Sequence, residues 1–132
     1  YNGSLGGTDG VIAKYDAFGS QVWMTIYGTA ANDSGFDIAT SADDNVFITG
    51  ETFGDLAGAG NAGESDLFIT KYDSLGNQVW VKQFGTVGND SGYGISASSG
   101  GDVYITGETF GVLGGDVNLG ENDIFMGRVY MP

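Results

Sequence analysis

The 132-residue chain has 4 Lys plus Arg against 17 Asp plus Glu and a formal net charge of −13, which excludes a phosphate-tracking nucleic-acid binder and an anionic-membrane binder. It has no His and no Cys, which removes disulfides, Cys/His zinc sites, His bases, the Ser-His-Asp triad and thiol nucleophiles together. Glycine at 25 positions beside a single Pro announces many tight turns, while 41% hydrophobic and 13% aromatic content is too much for a disordered chain.

In chain order, a Gly/Ser-rich lead over residues 1–8 gives way at Asp9 to D-G-V-I-A-K-Y-D-A-F-G-S-Q-V-W. The run returns at Asp66 as D-L-F-I-T-K-Y-D-S-L-G-N-Q-V-W and opens again at Asp123 as D-I-F-M-G-R-V-Y, a period of 57 residues. The segments between keep step, with G-T-A-A-N-D-S-G at Gly28 matching G-T-V-G-N-D-S-G at Gly85, and T-G-E-T-F-G recurring from Thr49 and Thr106. The chain therefore divides into a repeat over 9–65, a second over 66–122 and the first strand of a third over 123–132. Short β-branched and aromatic runs separated by turn clusters predict four strands per repeat, in the second at 66–72, 78–84, 93–97 and 102–109. Short Gly-bearing turns join the first strand to the second and the third to the fourth. The expected fold class is all-β, two tandem four-stranded antiparallel propeller-type blades plus one extra terminal strand. The long Gly-rich links at 54–65 and 111–122 are expected where the chain leaves one sheet for the next. No apolar run reaches the length of a spanning helix and no segment reads as a signal peptide, so no membrane insertion is expected.

The series D-x-F-x-x-K-Y-D-x-x-G-N-Q-V-W, then G-N-D-S-G-Y-G-I, then G-D-V-Y-I-T-G-E-T, resembles the SBBP-type β-propeller repeat of secreted and surface bacterial proteins. The resemblance implies propeller blades, usually several to a closed ring, in an extracellular or cell-surface setting. Two blades and a strand cannot close such a ring within one chain.

Several recurring residues carry alternative readings. Trp23 and Trp80 are either core residues between sheets or sugar-stacking platforms. Lys14, Lys71 and Arg128 share one repeat position, and are read either as a ladder of ion pairs with Glu51, Glu108 or the strand-start Asp residues, or as a site for anionic ligands. Calcium is the one cofactor that the residue types raise, at Asp33 and Asp90 within Asn32-Asp33-Ser34 and Asn89-Asp90-Ser91, together with Asp43, Asp44 and Asn45. The spacing does not match an EF-hand, and Asx-turns are the plainer account. Asn2, Asn32 and Asn89 each open an N-x-[ST] acceptor pattern for glycosylation. Glu51 and Glu108 supply the minimum for a hydrolase pair, but duplicated surroundings work against splitting their acidities, so no enzyme is expected. Asp123, Ile124, Phe125, Met126, Arg128, Val129 and Tyr130 form an apolar edge strand suited to pairing with another chain. The sequence thus predicts a non-enzymatic, extracellular structural or adhesion repeat that assembles with other copies of itself, or further blades, into a ring or filament. A carbohydrate-binding module with glycan partners is the alternative.

Overall fold

A computed structural model describes residues 5–114 and 120–129. These form nine strands: β1 (Gly10–Tyr15), β2 (Gln21–Tyr27), β3 (Asp33–Thr40), β4 (Val46–Thr52), β5 (Asp66–Tyr72), β6 (Gln78–Phe84), β7 (Asp90–Ala97), β8 (Val103–Thr109) and β9 (Asp123–Val129). No helix occurs among the described residues, so none there is long and apolar enough to cross a membrane. Sequence chemistry sets the hairpins. In the β1–β2 turn the Asp16 carboxylate accepts from the Phe18 and Ser20 N–H groups at 2.9 and 2.8 Å, and Gly19 supplies the φ of +81° that closes it. Asp73 and Gly76 repeat the device between β5 and β6, and the Asn77 side chain and N–H hold the Asp73 carboxyl below its usual acidity range.

All pairings are antiparallel, but the sheets do not coincide with the sequence repeats. Their orders are β1-β2, then β3-β4-β5-β6, then β7-β8-β9. The second and third sheets join the third and fourth strands of one repeat to the opening of the next, two strands of it in the second sheet and one in the third, while the first sheet holds only the first two strands of the first repeat. This corrects the expectation that each repeat forms its own four-stranded meander. The long link after β4 returns to the same sheet, where Gly50 stands opposite Phe68 and Thr52 opposite Asp66. The chain changes sheets instead through the short segments 28–32 and 85–89. A few residues suffice because successive sheets stack face to face, only about 10 Å apart.

A buried carboxylate fixes each change of sheet. Asp33 Oδ2 accepts the Thr29 N–H at 2.6 Å and the Thr29 hydroxyl at 2.9 Å, while Oδ1 accepts the Thr52 hydroxyl of the neighbouring strand. Asp90 repeats this with Thr86 and Thr109. The first-strand Asp packs beside the same corner: a Cβ on Gly85 would lie 1.8 Å from Asp66 Oδ1. Glycine is also required opposite the bulges in β3 and β7, since a Cβ on Gly50 or Gly107 would meet the Ser34 or Ser91 carbonyl oxygen at 1.9 Å.

The core consists of two layers between sheets. Ile12 and Tyr27 of the first sheet pack against Ile48, Phe68 and Tyr72 of the second, with the Tyr27 and Phe68 rings edge to face at 5.7 Å. Phe47, Leu67 and Ile69, on the opposite face of that second sheet, pack against Val103 and Ile105 of the third. Burial, with smaller contributions from Tyr72 and Asp33, pushes the Tyr27 hydroxyl from 10.0 up to about 12. The folded state then keeps a proton that the unfolded chain loses near pH 10. Stability contributed below that pH is therefore lost as pH rises toward 12. Urea midpoints measured across this window should fall with pH, and less steeply in Tyr27→Phe.

Candidate functional site

The repeat allows the same position to be compared inside the molecule and at its ends. Leu67 and Ile69 of β5 are covered by the third sheet and are 1% and 0% exposed. Their counterparts on β9, Ile124 and Met126, are 86% and 85% exposed, because no described sheet covers that face. Tyr104 on β8 widens the patch, although its counterpart Phe47 is buried. The other end shows the opposite half of the same joint. Phe68 and Tyr72 lie buried beneath the first sheet, whereas their counterparts on β1, Val11 and Tyr15, are more than half exposed. The two ends of the molecule therefore present, one each, the two faces that meet in its own interior.

Strand edges at these ends are also open. Among the described strands, β1 pairs with β2 alone and β9 with β8 alone. Exposed edges of this kind are templates for further pairing. Asp123, Ile124, Phe125, Met126, Arg128 and Val129, expected as an assembly strand, fall on β9, while Tyr130 lies outside the described residues. Phe125 and Val129 pack inward onto the second core layer, so only alternate residues face outward.

Both tryptophans pack between sheets. Trp23 lies against the first core layer and donates its indole N–H to the Ser74 carbonyl at 3.1 Å, and Gly76 leaves room beneath its ring. Trp80 packs on the second layer, its ring 6.1 Å from that of Phe47. The basic ladder has other partners than the strand-start acids. Lys14 pairs with Asp44 at 3.4 Å and Arg128 with Asp102 at 2.6 Å, both acids belonging to strand-joining turns, while Lys71 lies 5.7 Å from the centre of the Phe47 ring. These pairs are at least partly exposed and add little stability.

Asp33 and Asp90, the calcium candidates, are buried with both carboxylate oxygens taking protein donors, which gives them a structural task at the sheet corners. Among the described residues no group of three or more acidic side chains is placed to hold a metal ion. The Asn32 and Asn89 side chains meet the same corners: Asn32 accepts from the Thr8 N–H at 2.9 Å, and Asn89 bonds Ser65 and Glu64. Asn2 lies outside the described residues. Asp43 and Asn45 sit in the β3–β4 turn, where Asn45 bonds Ser41 at 3.4 Å.

Glu51 and Glu108 occupy unlike surroundings despite their shared repeat position. Glu51 accepts the Ser91 hydroxyl of the next sheet at 2.8 Å. Glu108 accepts the Tyr93 hydroxyl and the Asn122 amide, which together hold its carboxyl below the usual range, and the same contact raises Tyr93. Tyr93 also meets Phe36 of β3, the two exposed rings lying 5.5 Å apart across neighbouring sheets. No single sequence motif marks this aromatic and acidic patch, because it forms only when β3 and β7 stack.

Stacked antiparallel sheets and buried corner carboxylates that recur with a 57-residue period define an all-β repeat protein. Residues 79–114 match the SBBP beta-propeller repeat, and the chain carries an SBBP-type repeat. That stretch runs from β6 through β8 and so crosses a sheet change. The chain is also similar to the regulatory protein FlaEY of Caulobacter vibrioides, 29% identical over 120 residues that make up 85% of this chain. The match spans 13% of that relative's length.

Proposed function

We propose that this protein is a non-enzymatic structural or adhesion module that assembles with other copies of itself through its end sheets, as the repeating element of a ring or filament. The comparison of Leu67 and Ile69 with Ile124 and Met126 carries the reading: identical repeat positions are dry inside and bare at the end. Burying such a face gains about 25 cal/mol per Å² of apolar surface, a strong incentive for a further sheet to cover it. Because the two ends differ and complement each other, the contact is head to tail, giving a ring where the rotation closes and a filament where it does not. The resemblance to secreted repeat proteins supports an extracellular or cell-surface setting.

Sedimentation over a wide concentration range tests this reading. The mean mass should rise with concentration, and Ile124→Lys combined with Met126→Lys should return it to a single chain of 13.6 kDa without altering the far-ultraviolet circular dichroism. A wild-type chain that stays monomeric throughout would remove the proposal. A second reading, carbohydrate binding, is favoured by the exposed Phe36 and Tyr93 rings beside the Glu51 and Glu108 acceptors. A glycan array in which Tyr93→Ala abolishes a wild-type signal would support it.

A further inference from the structure

Among the described residues, the sheet of β7, β8 and β9 is one strand short of the sheet of β3 to β6, and the place of that strand has a shape. β8 holds β9 in the register in which β4 holds β5, with Gly107 opposite Phe125 as Gly50 is opposite Phe68. β5 then receives β6 along its second edge, Leu67 opposite Phe84 and Lys71 opposite Trp80. Along the corresponding edge of β9 runs a groove of about 460 Å³, walled by Leu67 and Phe84 of the preceding sheet, by Leu113 of the link after β8 and by Phe125 and Val129 of β9.

Resting on the assembly reading above, we infer that this groove is the acceptor for one extended strand of the β6 type, Gln-Val-Trp-Val-Lys-Gln-Phe, delivered by a further repeat of the same kind. The internal copy shows what the occupant must bring. The sixth residue of β6, Gln83, accepts from the Leu56 and Ala57 N–H groups at 2.8 and 3.4 Å, and donates to the Gly54 carbonyl and to Asp66 at 2.9 and 2.8 Å. Leu113 and Gly114, the counterparts of Leu56 and Ala57, both line the groove. β2 carries Ile26 at the sixth place and has no amide to offer, so a strand of the β2 type is the poorer occupant. Main-chain bonds to the β9 edge supply affinity in such strand addition, and the side chains at alternate places supply selection.

A synthetic peptide with the sequence of residues 78–84, titrated into the full chain, tests the inference with amide hydrogen exchange as the readout. Saturable binding should protect the β9 amides that β8 leaves unpaired. Gln83→Leu in the peptide should weaken binding about tenfold, the equivalent of one good hydrogen bond. Phe84→Arg in the protein, at a wall residue 41% exposed, should abolish binding while the circular dichroism stays unchanged. Absence of protection, or equal binding by the leucine peptide, would overturn the inference. If the chain self-associates yet ignores the peptide, the groove inference falls and the assembly reading stands. Peptide binding by a chain that stays monomeric supports the groove and removes self-assembly.

Discussion

Ile69→Ala is expected to destabilise the protein by about 2–5 kcal/mol, whereas Met126→Ala at the same repeat position should change stability by no more than about 0.5 kcal/mol. Ile69 lies at the centre of the second core layer with no exposure, so its removal costs both the transfer of its apolar surface and a cavity between two sheets that cannot collapse freely. Met126 already meets solvent, so truncation removes nothing packed. Urea denaturation of both variants gives the comparison directly. Equal losses at the two positions would mean that the third sheet is covered as fully as the second.

Asp33→Ala should cost about 3–5 kcal/mol, a large fraction of the total stability of a domain this size. The substitution leaves three donors at the sheet corner without their acceptor: the Thr29 N–H, the Thr29 hydroxyl and the Thr52 hydroxyl. Asp33→Asn keeps one acceptor oxygen and should lose about 1–3 kcal/mol. Denaturant midpoints of the two variants should therefore be ordered wild type, Asn, Ala. Should Asp33→Ala match wild type, the carboxylate would not be what fixes the change of sheet.

These corner carboxylates show where sequence reasoning reached and where it stopped. The pattern of β-branched and aromatic runs bounded by turn clusters located the strands, because such side chains suit a pleated, packed surface whichever sheet the strand joins. It also located Asn-Asp-Ser as recurrent and polar, but assigned it to a turn surface with calcium as an alternative. The acceptor role of Asp33 depends on Thr52, nineteen residues away and placed by strand pairing, which no local pattern reports. Sheet boundaries were misplaced for a related reason. Length and glycine content made residues 54–65 look like the exit from a sheet, yet strand partners are chosen by which apolar faces can be covered, and β5 covers both core layers only when it lies beside β4. The basic residues on β1, β5 and β9 were correctly seen as equivalent, but their partners differ. Asp44 and Asp102 come from adjacent turn positions, and at the middle copy the neighbouring Phe47 ring takes the place of an acid.

Cross-strand nuclear Overhauser contacts test the straddling sheets most directly, since the open faces and the vacant edge all follow from them. The predicted result is an antiparallel ladder linking Thr49 to Ile69 and Thr106 to Met126, with no ladder between β2 and β3. Contacts joining β2 to β3 and β6 to β7, with none from β4 to β5, would contradict it. Each 57-residue repeat would then be a sheet of its own, and neither half-joint would exist.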